Sequence, residues 1–201
     1  MLTVGTDRDK SRTVHYLLND YVRKGDPKSR QRVYVVHRLD QETSGLLLFA
    51  KSEQAKAFLQ KNWEETDKHY LAIVQGHLLL KEGEICSRLV ENAAYKVYTT
   101  DNPAEGRRAK TAYKVLKEVG DCSLLEIHLF TGRKHQIRVQ FADKGHPVVG
   151  DRKYGNRAPM LNRLALHARS IRFTHPFNGR ILTFDTGIPD DFVRILGRLQ
   201  R

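Results

Sequence analysis

Two cysteines, Cys86 and Cys122, are all that 201 residues contain. Two cannot build a disulfide framework, and these two have no metal-ligand spacing, so a reduced, cytoplasmic protein is expected. No apolar stretch approaches the ~20 residues that a membrane span needs. The opening MLTVGTDRDK lacks the basic-then-apolar order of a secretory signal. Internal repeats, low-complexity tracts and linkers are also missing, so one domain over residues 1–201 is expected. Histidines such as His37, His135, His146, His167 and His175 are scattered, with no H-x-x-x-H pair backed by a carboxylate. Neither a metal nor a cofactor is therefore expected.

What the chain does have is positive charge. Lys and Arg number 35 against 23 Asp and Glu, a formal net charge of +12. A surplus of that size on a small domain favours a polyanionic partner through counterion release, nucleic acid first among them. Forty per cent apolar and 29 per cent charged residues otherwise describe an ordinary soluble globular protein, expected to be a monomer.

Hydrophobic spacing predicts a helix over residues 12–22, with Val14, Leu17, Leu18, Tyr21 and Val22 on one face and Ser11 as N-cap. A basic loop leads to a strand at Val33–Val36 and a second apolar run at Leu46–Ala50. Ser52 is placed to cap a helix whose face is Ala55, Phe58, Leu59 and Trp63. Strands are predicted at Tyr70–Val74, Glu84–Val90, Thr111–Val119, Ser123–Phe130, Leu164–Phe173 and Arg180–Phe184. A short helix fits His135–Asp143, ending at Gly145, and a last one fits Asp190–Leu199 with Phe192, Val193, Leu196 and Leu199 inward. The fold class that follows is α+β, a mixed and mostly antiparallel sheet flanked by helices and loops.

Three constellations can carry chemistry. In His37-Arg38-Leu39-Asp40-Gln41-Glu42-Thr43-Ser44-Gly45, a carboxylate sits beside two cations in a turn between apolar strands. Thr43 and Ser44 can bond the turn backbone or the carboxylate, and an oriented, ionised Asp40 can act as nucleophile or base. A turn aspartate held by an arginine would look the same. In Thr131-Gly132-Arg133-Lys134-His135-Gln136-Ile137-Arg138, a strand end meets a helix start, where free N–H groups attract anions. Either Arg133 or Arg138 could serve a phosphate or hold Asp40 through a bidentate pair. In Gly145-His146-Pro147-Val148-Val149-Gly150-Asp151-Arg152-Lys153-Tyr154-Gly155, glycines and a proline mark a shaped loop whose Arg152, Lys153 and Tyr154 can face RNA.

Together, the patterns HRLDxxTSGLLLxAK, KxYLAxV and TGRxHQIRVxxxxxGHPxxGDxxYG resemble the RluA-like family of RNA pseudouridine synthases, from about Leu2 to the final helix. The resemblance implies a cofactor-free, metal-independent isomerase acting on uridine in structured RNA, with ribosomal RNA favoured slightly over transfer RNA. It makes Asp40 the catalytic aspartate, Tyr70 the ring that packs on the target base and can take its C5 proton, and Arg138 the partner of Asp40. Ile137 would support the base pocket, and Arg38 would fill the gap left by a flipped nucleotide. His37, Thr43, Arg133, Lys134, His135, Gln136, Arg152 and Tyr154 are the expected RNA-facing residues. Extruding, stacking and enclosing a base are what such chemistry needs.

Members of that family usually begin with a strand ending in Lys-Pro-x-Gly before the stretch matching Leu2-Thr3-Val4, and no separate S4-type RNA-binding domain is expected before the core here. Here the pattern is already under way at Leu2, so a missing strand and an exposed sheet edge are expected. The rival reading is a catalytically silent RNA-binding module of the same fold, against which intact Asp40, Tyr70 and Arg138 argue. A protein kinase, suggested by HRLD, is excluded by the intruding leucine and the lack of a Gly-rich phosphate loop before it.

Overall fold

The computed structural model describes residues 2–4, 10–26, 28–155 and 163–200. A 3-10 turn, Lys10–Arg12, leads into helix α1, Val14–Arg23. Three two-residue strands follow, β1 Tyr34–Val35, β2 Ser44–Gly45 and β3 Phe49–Ala50, then helix α2, Glu53–Lys61. Strands β4 Asp67–Gln75, β5 Glu82–Glu91, β6 Val97–Thr100, β7 Arg107–Val119 and β8 Cys122–Leu129 precede helix α3, Gln136–Asp143. Strands β9 Leu166–Thr174 and β10 Ile181–Asp185 and helix α4, Asp190–Leu199, complete the series.

An eight-stranded sheet runs β10-β9-β4-β8-β7-β5-β6, with β2 added to β9; β1 and β3 pair separately. Among the named strands only the β2–β9 pairing is parallel. The α+β class with a mostly antiparallel sheet is therefore observed.

β4 lies at the centre because it can be buried on both faces: Leu71, Ala72, Ile73 and Val74 are all fully enclosed. They pack with Leu125 and Ile127 of β8, Ile137 and Phe141 of α3, and Phe192 and Ile195 of α4. Each such fully buried side chain contributes about 1.5–3 kcal/mol. A second cluster joins Ala55 and Leu59 of α2 to Val36, Ala50, Ile171 and Phe173. This cluster fixes the Asp40 loop against the sheet.

Local differences from the sequence pattern have physical causes. Thr13, not Ser11, caps α1, its Oγ1 accepting from Tyr16 N at 3.2 Å. None of the α1 residues is fully buried, and Leu17 and Tyr21 are exposed. In α4 Phe192 and Ile195 are buried and Leu196 and Leu199 pack, partly buried, against the same core, whereas Val193 is exposed. Residues 46–48 lie between the named strands: Leu46 N still donates to the Ala168 carbonyl at 2.9 Å, whereas Leu48 N donates to the His37 ring, 3.0 Å from Nε2. Strand β6, which the pattern did not predict, lies on the edge beside β5. Leu2 forms a lone parallel bridge with Thr13. Among the described residues no helix is long and apolar enough to cross a membrane.

Candidate active site

The Asp40 loop is anchored at both ends. Its exit, β2, lies on β9 with Ser44 opposite His167 and Gly45 opposite Ala168. Gly45 has φ 108°, and a Cβ there would sit 2.2 Å from the Ala168 carbonyl oxygen, so no other residue permits this approach. Ser44 Oγ bonds His167 Nδ1 and the Arg163 guanidinium, both at 2.8 Å. Thr43 N donates to the Asp40 carbonyl at 3.0 Å, while the Thr43 hydroxyl is buried without a hydrogen-bond partner. Neither hydroxyl therefore orients the Asp40 carboxylate.

At the loop entrance His37 turns inward. Its ring stacks on Trp63, centroids 4.4 Å apart, and its Nε2 accepts from Leu48 N. Burial, helped by the nearby Lys68 charge, lowers its pKa to about 4, so the ring is neutral at physiological pH. His37 thus packs within the loop and shapes it while lining the Asp40 cleft. Lys68 donates to the Trp63 carbonyl at 3.0 Å and lies 5.4 Å from the centre of its ring.

Arg138 orients Asp40. Its Nη1 donates to Asp40 Oδ2 at 3.1 Å. The rest of the guanidinium is held by Asp151, with Nε to Oδ2 at 2.7 Å and Nη2 to Oδ1 at 2.9 Å. Asp151 also accepts from Lys153 N at 2.9 Å and Tyr154 N at 3.0 Å. Its side chain is wholly buried, that of Arg138 is 7% exposed, and that of Asp40 is 22% exposed. Burial disfavours the charge on Arg138, but the hydrogen bonds and charges of Asp151 and Asp40 outweigh it and raise its pKa. Burial likewise opposes the Asp151 charge, and Arg138 outweighs it to lower that pKa. One carboxylate spends its oxygens fixing the arginine; the other keeps an oxygen free toward the cleft.

That cleft, about 830 Å³, brings together Arg38, Asp40, Thr43, Trp63, Tyr70 and Ile137. Its volume is in the usual range for a small-molecule site, large enough to take in part of a polymer. Tyr70 is raised in pKa by burial first and by the Asp40 charge second, so the phenol stays protonated. Ile137, 4% exposed, belongs to the main core. Arg38 is exposed at the rim, without an ion pair among those of the described residues.

The TGRKHQIR turn is more internally committed than its polar composition suggests. Gln136 is 3% exposed and faces inward. Its Oε1 accepts from Thr131 Oγ1 at 2.8 Å and Arg133 N at 3.0 Å, and its Nε2 donates to Lys110 O and Thr111 Oγ1. Its amide is committed to the turn, although the residue still lines the Asp40 cleft. Tyr154 is likewise a buttress: its hydroxyl accepts from Val97 N at 3.2 Å and bonds His135 Nδ1 at 2.6 Å. Its ring lies 5.2 Å from the Arg138 guanidinium carbon.

His135 adopts φ 53°, a left-handed backbone at the helix start, and places Nε2 3.9 Å from Asp40 Oδ1. Burial lowers its pKa, against the pull of Asp40. Arg133 Nε donates to Arg108 O at 3.1 Å, and Lys134 pairs with Glu91. Arg152 is exposed. Asp151 is the residue that sequence reasoning did not single out; its signal was the Gly150-Asp151 step in the glycine-rich loop.

The sequence profile of the family described as RNA pseudouridylate synthase matches residues 2–143. Over 164 residues the chain is 38% identical to an uncharacterized RNA pseudouridine synthase, YhcT, of Bacillus subtilis, covering 80% of this chain and 54% of that protein. It is 36% identical over 176 residues to ribosomal large subunit pseudouridine synthase D of Nitrosomonas europaea, covering 82% and 51% respectively. The chain thus spans about half the length of the curated relatives it matches. Human RNA pseudouridylate synthase domain containing 1 has a similar structure, with TM-score 0.71, 26% identity, and 90% of this chain and 84% of that one covered. Human RNA pseudouridylate synthase domain containing 4, at TM-score 0.79 and 23% identity over all of this chain and 86% of that one, shares the fold. With more than two thirds of its residues matched by the family profile, this chain belongs to the RNA pseudouridylate synthase family.

Proposed function

We propose that the protein isomerises uridine in structured RNA to pseudouridine, with Asp40 as the reacting carboxylate. The observation that carries this reading is the geometry of Asp40, at the cleft with one oxygen held by Arg138 and the Tyr70 ring beside it. Asp40 attacks or deprotonates the ribose, the bond from C1′ to N1 breaks, and the uracil turns. A bond from C1′ to C5 then forms as the carboxylate–C1′ bond breaks or the ribose regains its proton, C5 gives up its proton to a base, and N1 takes one up. Both exchanges are heterolytic within one nucleotide, so the reaction as written needs no redox or metal cofactor. Tyr70 supplies a stacking face worth roughly 1–3 kcal/mol per base.

Ile137 and Trp63 line the enclosure that keeps a detached uracil from escaping. Arg38 is positioned at the rim to occupy the stack once the nucleotide is extruded. Lys134, Arg152 and the surplus positive charge suit an RNA backbone. Relatives named for the large ribosomal subunit favour ribosomal over transfer RNA as substrate. The protein acts as a cytoplasmic monomer in this reading.

The test is Asp40→Asn, which keeps the side-chain shape and removes the nucleophile or base. Unmodified large-subunit ribosomal RNA and transfer RNA transcripts are incubated with wild type and variant, and pseudouridines are mapped. Turnover should vanish while RNA affinity holds. More than a few per cent of wild-type turnover in the variant refutes the assignment, and RNA binding without isomerisation by the wild type would favour the silent module.

A further inference from the structure

The sheet carries a second cluster that the proposed reaction does not use. Asp67 and His69 are two residues apart on β4 and so share a face, while Lys68 and Tyr70 line the Asp40 cleft from the other. His128 of β8 stands directly opposite His69 in the ladder. His128 Nε2 lies 2.8 Å from Asp67 Oδ1, and His69 Nε2 lies 3.1 Å from the same oxygen. The two rings stack with centroids 4.7 Å apart, and the three donor atoms lie within 4.8 Å of one another.

Orientation is a second, independent observation. Asp67 Oδ1 is shielded from solvent and makes no hydrogen bond, although two imidazole nitrogens are at contact distance. The nitrogens approach the oxygen without aiming an N–H at it. The three donor atoms are close enough to share one ion, which would turn the nearly parallel rings so that both in-plane lone pairs meet it. Zn–N bonds of about 2.0–2.1 Å and Zn–O bonds of about 2.0–2.2 Å place tetrahedral neighbours roughly 3.3 Å apart.

We propose that Asp67, His69 and His128 bind one divalent transition ion, Zn²⁺ foremost, with a fourth position open to water. Two imidazoles and one carboxylate suit Zn²⁺ or Co²⁺ and not the oxygen-seeking Mg²⁺ or Ca²⁺. Asp67 also lines a separate cleft of about 410 Å³, and the His69 and His128 side chains are about one-third exposed, so an ion would approach from the imidazole side. The ion would clamp β4 to β8 next to Tyr70 and take no part at Asp40.

The test is calorimetric titration of chelator-treated, dialysed protein with Zn²⁺ at pH 7.5, with Co²⁺ absorption as a spectroscopic check. Wild type should bind one ion per chain and give an intense tetrahedral Co²⁺ band. Altering groups around a metal costs about 10–100-fold in affinity, so removing a ligand in His69→Asn or His128→Asn should cost at least about 100-fold. His175→Asn, at an exposed turn, should cost nothing. No stoichiometric binding, or equal binding by wild type and His128→Asn, overturns the proposal. Should both ligand variants unfold, nitrogen NMR of the wild type decides. Zn²⁺ must shift the side-chain signals of His69 and His128, and shifts confined to other histidines overturn the site.

Discussion

Acid should loosen the Asp40 loop through His37, and the size of the effect can be worked from its surroundings. The neutral ring accepts from Leu48 N at 3.0 Å and stacks on Trp63. Protonation removes the acceptor and places a cation near Lys68. The pKa falls from 6.5 in the unfolded chain to about 4 in the fold, chiefly through burial. Between these values the unfolded chain binds more protons, so stability rises with pH through that window and is lost as pH falls. The full shift corresponds to about 3 kcal/mol, most of it lost by about pH 4.5. His37→Gln keeps an oxygen near the Nε2 position but cannot titrate. Urea unfolding of wild type and His37→Gln at pH 7 and near pH 4.5 should show the wild type losing about 2 kcal/mol more than the variant. His128, His135 and His167, also lowered in pKa by burial, contribute equally to both proteins and cancel. Parallel pH dependences in the two proteins would refute the reasoning.

Asp151→Asn leaves the buried Arg138 without its bidentate charged partner, so urea unfolding should reveal a loss of about 3–5 kcal/mol. Single-turnover rates should fall too, and unchanged stability would show that Asp40 alone holds the arginine. Tyr70→Phe should retain RNA binding and stacking while slowing turnover at saturating RNA; a wild-type rate would confine the residue to stacking. Gly45→Ala should cost at least about 2 kcal/mol by forcing a Cβ onto the Ala168 carbonyl at φ 108°, and a variant as stable as wild type in thermal melts would contradict the packing.

The proposed reacting groups were legible because they lie in dense, ordered motifs, and the residue pattern left their pairing open. Arg133 and Arg138 were equivalent candidates for Asp40 in the pattern. The helix start resolves them, since Arg138 faces the core and Arg133 turns to the Arg108 carbonyl. That Gln136 and Tyr154 brace the turn from within was not legible, because a polar side chain does not reveal whether its partner is solvent, ligand or buried backbone. Phe192 and Val193 were both assigned inward for a related reason. An apolar stripe fixes a helix face only to within one residue, and packing against His167, ring centroids 6.1 Å apart, selects Phe192.

The hardest features to read were those created by strand register. Asp67 and His69 are adjacent in the pattern, but His128 becomes their neighbour only because β4 and β8 pair with His69 opposite His128. A shift of one residue would send His128 to the opposite face and dissolve the cluster. Asp151 poses the same difficulty through a loop: its carboxylate meets Arg138 only after α3 and the glycine-rich turn have folded together. The motif residues announce which groups can react. Their supporting partners arise from pairings between distant segments, so the precision of Asp40 depends on contacts that no local spacing encodes.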